Sequence, residues 1–341
     1  MNFRQFDTII DVRSPAEYAE DHIPGAISAP VLDDAERAAV GTMYKQVSPF
    51  DAKKTGAALV AKNVSRHIEE LFRGKDKAWR PLVYCWRGGK RSSAMAHILR
   101  EIGWNAETLE GGYKAYRRFV VSQLQSLPLG LDFIVIHGPT GSGKSRLLGA
   151  LQRAGAQVLD LEGLAVHRGS VLGNLPDRPQ PSQKMFESLL LERISAFQAE
   201  KPVYVEGESK KIGELQVPEA LMTRMRASPC ILLDADLEVR VDLLLDEYRH
   251  FLADRETLNK QLDCLVALHG RERIAEWKSL GDWRELVRRL LVEHYDPAYH
   301  RSSARNFAQL PHAKPLRIAR ADDAAFATAA RSLLDLTAVA A

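Results

Sequence analysis

Short apolar runs recur along the chain, each ending in polar or glycine-rich residues and followed by an amphipathic stretch. Phe6 to Val12 alternates and ends in Ile9-Ile10-Asp11-Val12, which predicts a short strand. Pro15 behind Ser14 opens a helix through Tyr18, and His22 to Ile27 turns into a second strand. Met43 to Phe72 reads as largely helical with a break near Ser48-Pro49. Pro81 to Cys85 reads as a strand and Ser92 to Ile102 as a helix. Leu109 to Tyr113 ends one more strand before a helix over Ala115 to Leu124. Ser122 to Gly130 has the composition of a linker, and four further strands follow at Phe133–His137, Gln157–Leu159, Pro202–Ser209 (ending in acids) and Cys230–Asp234. Strands alternating with helices predict parallel α/β sheets. Leu237 to Leu291 reads as helical, with apolar spacing at Val241, Leu244, Leu245, Tyr248 and Leu252, and an Ala-rich tail after Asp322 adds a short helix.

These patterns divide the 341 residues into an α/β domain at 1–122, a linker at 123–131, a second α/β domain at 132–236 and a helical C-terminal region at 237–341. Apolar content of 45% and charged content of 27% are those of an ordinary globular protein. The first residues lack an apolar signal core and no stretch is long enough to span a bilayer, so no membrane partner is expected. Three widely spaced cysteines, Cys85, Cys230 and Cys264, fit a reduced cytoplasmic compartment, the latter two as core residues. Net charge is only +3, but Arg66 to Arg91 holds eight Lys or Arg against three acids. That segment suits an anionic substrate, a small phosphate or an RNA backbone, although a solvated basic surface would read the same. Arg284, Arg288 and Arg289 form a second cationic face with the same two readings.

Val83-Tyr84-Cys85-Trp86-Arg87-Gly88-Gly89-Lys90-Arg91-Ser92 sets a cysteine at a strand-to-helix turn. Curled amides, a helix N-terminus and the cations Arg87, Lys90 and Arg91 all favour thiolate over thiol. Cys85 is therefore a candidate nucleophile or chalcogen carrier, with Arg87 and Arg91 as its anion cage and Trp86, Gly88 and Gly89 as substrate contacts. Downstream, the Phe133–His137 strand opens into Gly138-Pro139-Thr140-Gly141-Ser142-Gly143-Lys144-Ser145 and an amphipathic helix. That context marks a P-loop, whose amides cradle phosphate while Lys144 reaches a terminal phosphate and Ser145 can ligate Mg²⁺. Glu206 closes a neighbouring strand and is expected to face the phosphate directly or through Mg²⁺ and water, with Glu208 second. Leu161 to Ser170, with His167 and Arg168, and Pro179 to Glu187 lie where P-loop proteins place substrate-contacting elements. A guanine-reading Asn-Lys-x-Asp pattern is absent, since Asn259-Lys260 is followed by Gln261-Leu262-Asp263. A P-loop alone does not say what hangs from its phosphates, so ATP, GTP and a prenyl diphosphate stay open.

Residues 1–122 resemble rhodanese domains. Asp11-Val12-Arg13-Ser14-Pro15-Ala16-Glu17-Tyr18, His22-Ile23-Pro24-Gly25-Ala26, the Cys85 loop and Glu110-Gly111-Gly112-Tyr113 follow that family's four signatures in order. The resemblance implies sulfur or selenium carried on Cys85 as a persulfide or perselenide. Arg91 departs from the usual spacing, standing one residue further from the cysteine. The longer loop is similar to that of rhodanese-related phosphatases and could enclose a tetrahedral phosphate-sized group.

To about Tyr299 the whole order resembles the tRNA 2-selenouridine synthase family: the Cys85 loop, the P-loop, Glu162-Gly163-Leu164-Ala165 with His167-Arg168-Gly169-Ser170, and Glu206-Gly207-Glu208-Ser209-Lys210-Lys211-Ile212-Gly213. The resemblance implies replacement of sulfur by selenium at C2 of wobble 2-thiouridine in tRNA. It further implies S-geranylation from geranyl diphosphate, then selenation from selenophosphate, with no tightly bound cofactor and Mg²⁺ optional. Lys210 and Lys211 join the expected substrate contacts, tRNA is the expected partner, and an enzyme supplying selenophosphate is a second. Three other readings fit the motifs: a Cys-x5-Arg phosphatase with a nucleotide-binding regulatory domain, an ATP-dependent tRNA thiolase, and a non-catalytic binding or redox-sensing module.

Overall fold

The computed structural model describes every residue outside 171–172, 175–177, 250–253, 300, 302–306 and 339–341. Leu252 thus lies outside the described residues. The chain forms two compact units, Met1–Gln123 with Pro181–Glu192, and Leu124–Gln180 with Arg193–Ala341.

The first unit runs β1 (Thr8–Asp11), α1 (Pro15–Glu20), β2 (Ile27–Ser28), α2 (Asp34–Gln46), α3 (Pro49–His67), β3 (Pro81–Tyr84), α4 (Lys90–Ile102), β4 (Glu107–Thr108) and α5 (Gly112–Ser126). Its sheet has the order β2-β1-β3-β4, all parallel, so every connection crosses over through helical chain. Ile10, Val12, Phe72, Val83, Met95 and Leu99 fill the core, and Cys85 sits at its edge. The Asp11-x-Arg13 motif is an internal brace. The Arg13 guanidinium donates to Asp11 at 2.6 Å and to the Asp21 carbonyl at 2.6 Å, and stacks 3.9 Å from the Tyr113 ring centroid. Such a buried pair holds only because its remaining donors find acceptors.

Asp21 also explains why Pro181–Glu192 belongs to this unit. Its carboxylate accepts from Tyr113 at 2.7 Å and from Ser188 at 2.9 Å. Lys184 pairs with Glu20 at 2.6 Å, and Arg117 pairs with Glu187. The Pro179–Glu187 stretch, expected beside the P-loop, is therefore largely spent on packing. No extended linker precedes the second unit, because α5 continues to Ser126 and a tight helical turn covers Leu127–Gly130.

The second unit contains β5 (Phe133–His137), α6 (Lys144–Arg153), β6 (Gln157–Leu159), α7 (Leu161–Ala165), the end of α8 (Gln183–Ser195), β7 (Val203–Glu206), a β8–β9 hairpin (Lys211–Ile212 and Leu215–Gln216), α9 (Glu219–Arg226) and β10 (Cys230–Ala235). Helices α10 (Leu237–Glu247), α11 (Arg255–Asp263), α12 (Val266–Ser279) and α13 (Trp283–Arg289) follow. The C-terminal region is not wholly helical as expected. It returns β11 (Lys314–Ile318) to the sheet, giving the parallel order β11-β10-β5-β7-β6, and closes with α14 (Asp323–Ala338). The strand that feeds the P-loop is thus central, and its carboxyl end opens where ligands bind such sheets. Phe326 of α14 packs against Gly143, where a Cβ would overlap its ring. Cys230 is core, as its strand predicted, but Cys264 is exposed because it falls just past the end of α11.

Glycine supports the Cys85 loop at Gly112, whose φ of 56° and close approach both exclude a side chain. A Cβ there would overlap the Cys85 carbonyl and the Gly88 amide. Gly112→Ala should lower unfolding free energy by about 3 kcal/mol. Gly25→Ala has a similar φ of 77° but open space, and should cost only about 1 kcal/mol. Denaturant titration of both variants checks this, and equal losses would contradict the close-approach account.

Candidate active sites

Cys85 leaves β3 at a turn whose amides face its sulfur. Gly89 N–H donates to Sγ at 3.2 Å, and the Ser92 hydroxyl lies 3.2 Å from Sγ. The fourth signature clamps the same turn, since Tyr113 N–H donates to the Cys85 carbonyl at 2.8 Å and Lys114 N–H to that of Trp86 at 3.0 Å. Burial opposes charge on Cys85, but the Ser92 hydroxyl and the amides of Ser92, Gly89 and Arg87 outweigh it and hold the thiol below its usual range. The cations are not among the causes, contrary to the sequence-based expectation. Arg91 is turned to Glu17 at 2.8 Å, Arg87 and Lys90 extend outward, and the dipoles of the turn act instead. Trp86 is 38% exposed and lies 5.3 Å, centroid to centroid, from Tyr113, an open aromatic face beside the thiol.

In the second unit the P-loop wraps the start of α6. Gly141 and Gly143 take φ values of 78° and 85°. Lys144 Nζ donates to the Gly138 carbonyl at 3.1 Å, so the ammonium lies across the loop it would use to grip phosphate. The Ser145 hydroxyl donates to Glu162 at 3.1 Å, and Glu206 accepts from the Glu162 amide at 2.7 Å. Glu206 Oε2 and Ser142 Oγ are buried with no partner among the described residues. Burial, then the charges of Asp160 and Glu162, push the Glu206 carboxyl well above its usual range. Burial and Glu162 push Glu208 up to about 8 against the pull of Lys144. His137, just before the loop, is lowered to about 4 by burial and Lys144. No metal-holding group of three His, Cys, Asp or Glu occurs among the described residues. Ser145 and Glu162 nonetheless fit a Mg²⁺ completed by phosphate oxygens and water, since Mg²⁺ favours few protein ligands and only oxygen donors.

A cavity of about 410 Å³ extends from the P-loop past Glu162, Arg168, Glu208 and Glu247 to His294, Tyr295 and Tyr299. Beside it lies a cleft of about 60 Å³ walled by Leu245, Leu258, Trp283, Leu286 and Leu290, and sharing Thr140, Leu244, Tyr248 and Tyr295 with the cavity. Arg240 joins the parts, donating to the Thr140 carbonyl at 2.8 Å and to Asp296 at 2.6 Å.

Residues 2–119 match the rhodanese-like domain family and residues 131–268 the tRNA 2-selenouridine synthase AAA domain family. The tRNA 2-selenouridine synthase of Marinobacter nauticus is 33% identical over 323 residues, 85% of this chain and 87% of that one. The chain belongs to the tRNA 2-selenouridine synthase family. The synthase of Shewanella halifaxensis is 37% identical over 85% of this chain and 87% of its own. That of Bdellovibrio bacteriovorus is 39% identical over 72% of this chain, which spans 65% of the Bdellovibrio protein, just under two thirds.

Within this family member, Gly138, Gly141, Gly143, Lys144 and Ser145 line one cavity with Arg168, which pairs with Glu247 at 3.2 Å. His167 is buried and accepts from the Gly169 amide at 3.1 Å, a loop-holding contact. Lys210 and Lys211, expected at the substrate, are instead outside the cavity lining, paired with Glu219 and Glu214 at 2.6 and 3.3 Å. Arg284, Arg288 and Arg289 do not form a bare cationic face, because Glu238, Asp242, Glu276 and Glu285 pair with them. Sequence reading missed Arg240, Glu247 and His294. The run Glu293-His294-Tyr295-Asp296-Pro297-Ala298-Tyr299 was the one visible sign, two tyrosines and a histidine about a turn.

The thiol chemistry can be checked by alkylation with iodoacetamide across pH. Cys85 should react with an inflection below that of an ordinary thiol, and Ser92→Ala should move it upward by more than Arg87→Ala does. A larger shift from the arginine variant would restore the cationic explanation. Cys230, held up to about 11 by burial, should stay silent.

Proposed function

We propose that the protein converts 2-thiouridine to 2-selenouridine at the wobble position of tRNA, by S-geranylation and then selenation. Family membership supports the overall conversion. The observation that supports the geranyl step is the pairing, within one unit, of a phosphate cradle with an apolar cleft. A nucleotide base would need polar partners for its edges, and the leucines of the cleft offer none. An allylic diphosphate matches both halves. Its terminal branch fits the cleft, and the rest of its chain would lie along Leu244, Tyr248 and Tyr295.

In the first step the amides of Gly138 to Ser145 and the Lys144 ammonium hold the diphosphate. The thiocarbonyl sulfur attacks the allylic carbon, and the C–O electron pair leaves with diphosphate, where Lys144 meets the growing charge. Mg²⁺, when bound at Ser145, would add positive charge to the leaving group. Glu206 and Glu208, whose carboxyls burial shifts upward, would repel it less than ordinary carboxylates. Alkylation then makes the sulfur a leaving thiolate.

In the second step Cys85 carries selenium from selenophosphate as a perselenide, whose selenium attacks C2 and expels geranyl thiol. Selenophosphate and 2-selenouridine hold selenium at the same oxidation level, whereas a perselenide is more oxidised by one electron pair. Loading Cys85 therefore starts from its mixed disulfide with a small thiol: the donor selenium displaces that thiol, and water takes the phosphoryl group as phosphate. In discharge another thiol attacks the Cys85 sulfur, breaks the S–Se bond, frees the 2-selenouridine and restores the mixed disulfide. Arg87 and Arg91 are the nearby cations for the phosphate end of the donor, Arg91 by exchanging Glu17 for it.

Mass spectrometry of a 2-thiouridine RNA, with geranyl diphosphate and then with selenophosphate, separates the steps. Cys85→Ser should abolish selenation and leave geranylation running, so loss of both would refute the division of labour. Lys144→Ala should slow geranylation about 100-fold, while pre-geranylated RNA is still converted. Unchanged geranylation in that variant, or a strict need for ATP, would remove the P-loop assignment.

A further inference from the structure

Alkylating the sulfur of 2-thiouridine leaves a cation unless the proton on N3 departs. The neutral product has a C2=N3 double bond, so the reaction needs a base at the site as well as a place for diphosphate. The carboxyls near the P-loop are poor choices: Glu162 is engaged by the Ser145 hydroxyl at 3.1 Å, and burial shifts Glu206 well up and Glu208 to about 8, so both hold their protons more tightly than an ordinary carboxyl. Glu247 is engaged with Arg168 at 3.2 Å.

The same cavity has a better-built base on its far wall. His294 is 6% exposed and lines the cavity that contains the P-loop. Its Nδ1 lies 2.9 Å from Nε2 of His269, a bond that orients the ring and leaves Nε2 for a ligand. His269 ends the first part of α12, which breaks at Gly270 with φ 79°, and is itself half-buried, so the pair runs from cavity wall toward solvent. The groups about His294 are His269, backed by Trp277, the Tyr295 ring at 4.7 Å and the Arg301 charge. The neighbouring Arg273–Glu293 pair is closed at 3.3 Å, and Lys144 and Arg168 are the cations across the cavity. Burial, His269 and Arg301 all lower the His294 pKa, which keeps the imidazole neutral and able to accept.

We propose that His294, backed by His269, is the catalytic base that takes the N3 proton of 2-thiouridine as its sulfur is alkylated. The inference rests on the geranyl reading above. As the S–C bond forms and the C–O pair leaves with diphosphate, the N3–H pair becomes the C2=N3 bond. Its proton goes to His294 Nε2. The Nδ1 proton of His294 moves to His269 Nε2, and the half-buried His269 returns a proton to water. Nothing is oxidised or reduced.

The test is single-turnover geranylation of a 2-thiouridine RNA by the full-length protein from about pH 6 to about pH 9, with geranyl diphosphate binding measured alongside. His294→Asn should slow the reaction about 100-fold near neutral pH, with geranyl diphosphate affinity within about twofold of the parent. Its rate should climb about tenfold per pH unit as N3 ionises unaided, where the parent profile is flat. Added imidazole should restore part of the rate to His294→Gly. His269→Asn should show a smaller loss with the same upward slope. A His294→Asn variant with the parent rate and profile would overturn the proposal. So would a pH-independent loss, or a loss that tracks ligand binding and resists imidazole. A parent protein that binds geranyl diphosphate but never alkylates the RNA would overturn the geranyl reading itself. An active parent with indifferent variants would overturn only the base.

Discussion

A guanidinium taken out of water has five donors to satisfy, and Arg240 satisfies its own in a way that fixes the second unit's site. At 7% side-chain exposure it gives two bonds to the Thr140 carbonyl, inside the P-loop, and two to Asp296, which caps the π-helical turn Leu290–Tyr295. The cradle and the opposite wall of the cavity, with His294, Tyr295 and Tyr299, are therefore held to each other by one side chain. Arg13 performs the same service in the first unit, tying the end of β1 to the loop at Asp21 under Tyr113. In both cases the cation is internal and is spent on bracing loops.

The reactive groups are tuned by the opposite arrangement, dipoles without compensating ions. Cys85 is pulled toward thiolate by amides and a hydroxyl that cannot be screened away or neutralised. Glu206 and Glu208 have carboxylate neighbours and little solvent, so they retain protons. The result is a P-loop beside two carboxyls that hold their protons more tightly than usual, and a thiol shifted toward its charged form by dipoles alone.

Much of this was legible from local spacing. The strand-to-turn-to-helix contexts of Cys85 and of Gly138 to Ser145 are complete within a few residues, and both fold as those patterns predict. What the sequence hid involves partners far apart. Arg240 and Asp296 are separated by 56 positions, and neither stands in a motif. The Arg284, Arg288 and Arg289 face looked free because its acids come mostly from other helices. Cys264 looked buried because its neighbours Leu262 and Leu265 are, but at the C-cap of α11 it is exposed between them. The return of β11 to the sheet was masked by a short strand with little alternation, Lys314-Pro315-Leu316-Arg317-Ile318.

The packing of Phe326 against Gly143 gives chain order a significance of its own. The floor of the P-loop is supplied by α14, and the sheet edge beside β10 by β11, so the phosphate site is complete only after those segments have been synthesised. The first unit is likewise incomplete until Pro181–Glu192 reaches Asp21 and Glu20. The two units are interleaved along the chain. A cut at the apparent boundary near Gln123 would leave the first without the Pro181–Glu192 segment that packs with it, and a fragment ending before α14 would leave the P-loop without Phe326 against Gly143.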